Sequence, residues 1–253
     1  MTFASTRGWL PDAVAAGEAL RGPLSGTFPG CAYAVAVAAG PMESGAFGHS
    51  CLEPERFLVQ PGTLFDLASL TKPLSTALLA LRAWERGEMD LLAPVSGVKG
   101  IPFTPMDLLR HEAGFPAWLP LYGLGILPSG VRDWLLEACP RQEPRRNAEY
   151  SCLGYILLGF LIEEILGEDL PHLFAGRIAV PLGLSAREAC FNPPSDWKLE
   201  VAAGELLGES EGAKAREKGS PLAPVPAGAS SATWTSVACH CFFSSTAWTT
   251  TFK

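Results

Sequence analysis

Two periodicities divide the chain. Residues 31–40, CAYAVAVAAG, and the shorter stretch EPERFLVQ (53–60) read as strands, with glycine- and proline-bearing turns between them. From Ser69 the period becomes helical. Leu74, Ala77, Leu78, Leu81 and Trp84 recur at helical spacing, and Gly87 after Arg86 is a stop signal. Thr104-Pro105 opens a second helix, with Asp107 placed to complete a capping box and Gly114 ending it near RHEAGFP. A third begins near Tyr150, with Leu153, Ile156, Leu157, Phe160 and Leu161 on one face and Gly167 beyond its end. Residues 11–20, PDAVAAGEAL, read as a further short helix with proline at its start.

Strands therefore precede a mostly helical region, without βαβ alternation, and the expected class is α+β rather than a doubly wound parallel sheet. After about Gly204 the chain is rich in Gly, Ala, Ser, Pro and charge and has no apolar period, which reads as loop or disorder. The expected organisation is one domain over residues 1–205 and an atypical, poorly ordered tail over 206–253. No internal repeat is present.

Composition narrows the functional classes. Apolar residues make up 48% and charged residues 18% of 253 residues, enough for a sizeable core. A net charge of −7 without any Lys/Arg-rich run leaves no footprint for nucleic acid or an anionic membrane surface. The longest apolar stretch, GYILLGFLI, is too short to span a bilayer. The N-terminus lacks the basic region and apolar stretch of a signal peptide, so a cytoplasmic location is expected. Seven scattered cysteines form no disulfide framework and fit a reducing compartment. The Cys239-His240-Cys241 triplet lacks zinc-site spacing and a second ligand pair, and no metal is expected.

Ser-x-x-Lys occurs three times, as Ser69 with Lys72, Ser96 with Lys99 and Ser195 with Lys198. The chemistry needs a hydroxyl and an amine on one face of a rigid element, which positions i and i+3 of a helix supply. Ser96 fails, because Pro94, Gly97, Gly100 and Pro102 prevent a helix. Ser195 is followed only by a short, poorly patterned segment. Ser69 alone heads a long amphipathic helix, where backbone N–H groups at the helix start could stabilise an oxyanion. A serine there is equally a common helix cap, and both readings fit. Tyr150 likewise reads either as packed core or as a phenol relaying a proton near the Ser/Lys pair.

Taken in order, FDLASLTKPL, LLRHEAGFP, YSCLGYILLG and IAVPLGL resemble the serine β-lactamase, penicillin-binding protein and esterase superfamily, particularly its class C-like branch. The resemblance covers roughly residues 28–205. It implies a β-lactamase/transpeptidase-like fold, with an antiparallel sheet flanked by helices. It also implies a hydrolase with no cofactor, acting on a small acyl substrate: a β-lactam, a D-Ala-D-Ala peptide or an ester. Carried over by position, Ser69 is the acyl-accepting nucleophile, Lys72 its proton acceptor and Tyr150 a second general base. His111 and Gly114 fall in a histidine-glycine segment and read as structural.

Two departures stand against that pattern. The third position of the family's Tyr-x-Asn motif, a substrate-binding position, is Cys152, and a thiol offers only weak hydrogen bonds where an amide would donate and accept. The Lys-Thr-Gly or His-x-Gly motif of a late strand is missing from the sequence. The expectation is a truncated or frame-disrupted member, its C-terminal sheet strands missing. The alternative to hydrolysis is a catalytically inactive remnant or pseudoenzyme.

Overall fold

The computed structural model describes residues 28–36, 42–52, 55–121, 124–142, 148–194, 197, 200–203 and 241–244. The expected helix at 11–20, the Ser195/Lys198 pair, Cys239-His240 and most of the 206–253 stretch lie outside these residues.

The chain divides into two compact units. The first, built from residues up to Asp66, from Leu182–Leu207 and from Phe242 onward, holds the sheets. Strands β1 (Gly30–Ala36), β2 (Met42–Cys51) and β3 (Phe57–Leu58) form one antiparallel sheet in that order. Strands β4 (Leu64–Asp66), β5 (Ala189–Phe191) and β6 (Cys241–Ser244) form another, ordered β4-β6-β5, with β4 and β6 antiparallel.

Strand β2 is not expected from its sequence, MESGAFGHSC, which lacks β-branched residues and reads as a turn. It is held by its partner. Tyr33 of β1 lies opposite Gly45, and a Cβ on Gly45 would sit 2.6 Å from the Tyr33 hydroxyl oxygen. The bare glycine makes room for the ring.

The second unit, from Leu67–Pro181 and Gly208–Cys241, holds the α-helices. A 3₁₀ turn (Ala68–Leu70) leads into a π-helical stretch (Lys72–Ala77), which continues as α1 (Leu78–Glu85). Helices α2 (Pro105–Leu109), α3 (Val131–Glu137), α4 (Cys152–Leu166) and α5 (Leu170–Phe174) follow. Helix α4 is the hub. Leu153, Gly154, Tyr155, Leu157, Leu158, Gly159, Leu161 and Ile162 are buried, whereas Ile156 and Phe160 of the expected face are half-buried.

The packed face of α1 differs from the expected one. Ser75, Thr76, Leu79, Ala80 and Ala83 are buried, whereas Leu78, Leu81 and Trp84 are 38%, 42% and 47% exposed. The helix is apolar on two sides, and periodicity selects the bulkier stripe. Packing instead covers the face of Leu79 and its smaller neighbours Ser75, Thr76, Ala80 and Ala83.

Helix α2 begins as its sequence dictates. The Thr104 hydroxyl accepts the Asp107 amide at 3.2 Å, and the Asp107 carboxylate accepts the Thr104 amide at 2.7 Å. Removing half of this box by Thr104→Ala is expected to cost about 1 kcal/mol, read as a lower urea midpoint at unchanged slope.

Candidate active site

Ser69 stands in the 3₁₀ turn directly after Ala68, whose φ of 44° is left-handed. For a residue with a Cβ that backbone is strained, and such positions gather at functional sites. Leu67 holds the N-cap position of this turn, and no side chain caps it. The serine is therefore not spent as a helix cap. Its exposed hydroxyl instead accepts a hydrogen bond from Lys72 Nζ at 3.1 Å. The i, i+3 spacing read from the sequence places both groups on one face, as expected.

The Ser96/Lys99 pair does not compete. Ser96 lies in a turn, and Lys99 is drawn away to Glu137, 2.5 Å distant. The other pair lies outside the described residues.

Tyr150 comes from an irregular segment just ahead of α4, 50% exposed, and Lys72 Nζ lies 5.1 Å from its ring centroid. That is within cation–π range. Ser69, Lys72 and Tyr150 thus line one open depression of about 600 Å³. Its remaining lining is Leu67, Leu70, Pro73, Leu109, His111 and Tyr155, so a largely apolar wall surrounds a few polar groups. Cys152 is not among the lining residues. Its backbone N–H donates to the Ala117 carbonyl, and its partly exposed thiol belongs to the first turn of α4.

Local hydrogen bonds fix the segment that carries Tyr150. Ser151 caps α4 by accepting the Gly154 amide, and its hydroxyl donates to the Pro116 carbonyl at 2.6 Å. His111 faces Tyr150 with ring centroids 4.8 Å apart and Tyr155 at 4.9 Å. The Tyr155 hydroxyl donates to the Leu109 carbonyl at 3.2 Å. Burial, then the Lys72 ammonium, holds His111 below the ordinary imidazole range. Burial, then Tyr150, pushes the Tyr155 phenol up.

Tyr155 was not anticipated. The one signal available is a tyrosine on the first, inward turn of an apolar helix, whose hydroxyl needs a partner. Among the described residues no cluster of three His, Cys, Asp or Glu could hold a metal ion. No described helix is long and apolar enough to cross a membrane.

Comparison with known proteins gives the family and the fold. A putative D-alanyl-D-alanine carboxypeptidase of Escherichia coli O157:H7 is 33% identical over 172 residues, covering 59% of this chain and 39% of the relative. One from Salmonella gallinarum is 32% identical over 171 residues, with 58% and 39% covered. The chain thus spans about two fifths of the length of these relatives. A class C β-lactamase structure from Rhodobacter sphaeroides superposes with a TM-score of 0.67 at 25% identity, covering 94% of this chain and 63% of that one. An octameric penicillin-binding protein homologue from Pyrococcus abyssi gives 0.64 at 24% identity, covering 78% and 49%, and shares the fold. The profile of the Beta-lactamase family matches residues 12–238. That match runs through the Ser69 turn, the Tyr150 segment and every helix between them, and the chain belongs to the Beta-lactamase family.

Proposed function

We propose that this chain is a serine hydrolase acting through an acyl-enzyme, with Ser69 as nucleophile and Lys72 and Tyr150 as its general bases. The observation that carries this reading is the 3.1 Å contact between Lys72 Nζ and Ser69 Oγ, in a depression that Tyr150 also lines. Ser69 Oγ adds to the carbonyl carbon of an acyl substrate, and its proton passes along that contact to the amine in its neutral form. The tetrahedral adduct then expels its leaving group, which takes a proton from the Tyr150 phenol, and an ester remains on Ser69. Water adds to that ester while the Tyr150 phenolate takes its proton back, and the second adduct releases the acid as Ser69 Oγ recovers its proton from Lys72.

The substrate is a small acyl compound. Curated relatives bear the name D-alanyl-D-alanine carboxypeptidase, and structural relatives are β-lactamases, so a peptide or a β-lactam is a natural candidate. The largely apolar wall of the depression favours a simple ester.

The test is covalent labelling of the purified protein with a fluorophosphonate and, separately, a penicillin, followed by intact mass and peptide mapping. The expected result is a single fluorophosphonate adduct on the peptide containing Ser69. A folded protein that takes up neither reagent would overturn the reading in favour of an inactive remnant.

A further inference from the structure

Tyr150 lies in a segment without regular secondary structure. Residues 148–151 are neither helix nor strand, the ring is half exposed, and α4 starts only at Cys152. Yet the amide groups on either side of Tyr150 converge on one residue. The Glu149 N–H donates to the His111 carbonyl at 3.0 Å, and the Ser151 N–H donates to His111 Nδ1 at 3.1 Å. The face of the same imidazole meets the Tyr150 ring, with centroids 4.8 Å apart.

We propose that His111 is the positioning residue for Tyr150, gripping the chain on both sides of it and its ring. The proposal rests on the reading of Tyr150 as part of the active site.

The grip is rigid because His111 is itself over-determined. Its backbone is left-handed, with φ of 59°, and its N–H donates to the Leu108 carbonyl at the end of α2. Behind it, Tyr155 packs at 4.9 Å and is tied by its hydroxyl to the Leu109 carbonyl. Left-handed backbone is strained for a residue with a Cβ, so the surrounding contacts must offset that strain.

The grip also depends on protonation. Nδ1 can accept the Ser151 amide only when it carries no hydrogen, so the ring is neutral with its proton on Nε2. A second proton removes the acceptor and sets a cation beside the Lys72 ammonium. The titratable and charged groups around the ring are Lys72, Tyr150 and Tyr155, with Glu112 and Glu149 on adjoining backbone and Arg110 paired to Glu112. Burial and Lys72 both favour the neutral ring, so the grip is intact at neutral pH and opens only below the ordinary imidazole range of ~6.5.

Two substitutions separate the acceptor from the ring. His111→Phe keeps an aromatic face for Tyr150 but cannot accept the Ser151 amide. His111→Asn places Oδ1 where Nδ1 stood, tolerates left-handed backbone and does not titrate. The first readout is the rate of fluorophosphonate labelling at Ser69 as a function of pH, with thermal melting followed by circular dichroism. His111→Phe is expected to label about tenfold to a hundredfold more slowly at neutral pH, as a displaced catalytic group requires. His111→Asn is expected to recover most of that loss and to lack the fall in rate that the wild type shows on acidification.

The second readout does not depend on Ser69 reactivity. The chain has four tyrosines, so ring-carbon NMR with Tyr150→Phe as the assignment control isolates the Tyr150 signal. In wild type that signal is expected to shift with the His111 midpoint, and in His111→Asn to stay still across that range. A Tyr150 signal indifferent to His111 titration overturns the proposal whether or not Ser69 labels. So does a folded His111→Phe that labels at the wild-type rate. An unlabelled wild type whose Tyr150 signal follows His111 would instead refute the hydrolase reading and leave the positioning role standing.

Discussion

Lys72→Met is expected to slow fluorophosphonate labelling of Ser69 by roughly a hundredfold to ten-thousandfold, with the melting temperature nearly unchanged. Among the described residues the hydrogen bond from Lys72 Nζ is the contact that the Ser69 hydroxyl makes, at 3.1 Å. A serine hydroxyl is a poor nucleophile until a neighbouring base takes its proton, and that is the step the substitution removes. Methionine keeps an unbranched stem of similar reach, so the packing of this partly buried side chain is largely preserved. Stability and reactivity are therefore separated in one variant. Comparable labelling rates for Lys72→Met and wild type would mean that Ser69 is not activated by Lys72, whatever reagent it accepts.

Features encoded by neighbouring residues were legible in the sequence. Thr104, Pro105 and Asp107 announce the start of α2, and the capping box is present in full. Gly167 ends α4 in left-handed conformation. The spacing of Ser69 and Lys72 puts hydroxyl and amine together, and the glycines flanking Ser96 and Lys99 keep that decoy out of a helix. Each depends on interactions within a few residues, where local propensity decides.

The features that were not legible depend on the rest of the fold. Strand β2 has weak propensity of its own and exists because β1 pairs with it residue by residue. The inward face of α1 is set by tertiary packing, which covers Ser75, Thr76, Leu79, Ala80 and Ala83 and leaves Leu81 and Trp84 exposed. Ser69 sits within the first turn, with Leu67 at the cap, because a left-handed Ala68 reverses the chain just ahead of it. His111 and Tyr150 lie 39 positions apart in sequence, and no periodicity links them. The pattern marks His111 as structural. Only the convergence of two amides on it reveals what it holds.

Gly114→Ala is expected to destabilise the protein by roughly 2–5 kcal/mol, combining left-handed strain with overpacking. The φ of Gly114 is 78°, and a Cβ there would stand 2.1 Å from the Gln142 carbonyl oxygen. That oxygen is backbone and has no rotamer by which to retreat. The Gln142 amide is bonded to the Gly114 carbonyl at 2.9 Å, so the two segments are drawn together where the methyl would push them apart. The neighbouring Arg141 resists movement as well. Its guanidinium lies 4.7 Å from the Phe103 ring centroid and donates to the Ile101 and Lys99 carbonyls. The chain that must give instead is the one following Gly114, where the Pro116 and Ala117 carbonyls hold Ser151 and Cys152. Those two residues adjoin Tyr150. The variant should consequently show a lower denaturation midpoint and, in the fraction that remains folded, slower labelling of Ser69. Unchanged stability would mean that the turn at Gly114 yields without cost. A loss of stability with wild-type labelling in the folded fraction would show that Tyr150 is held independently of this turn.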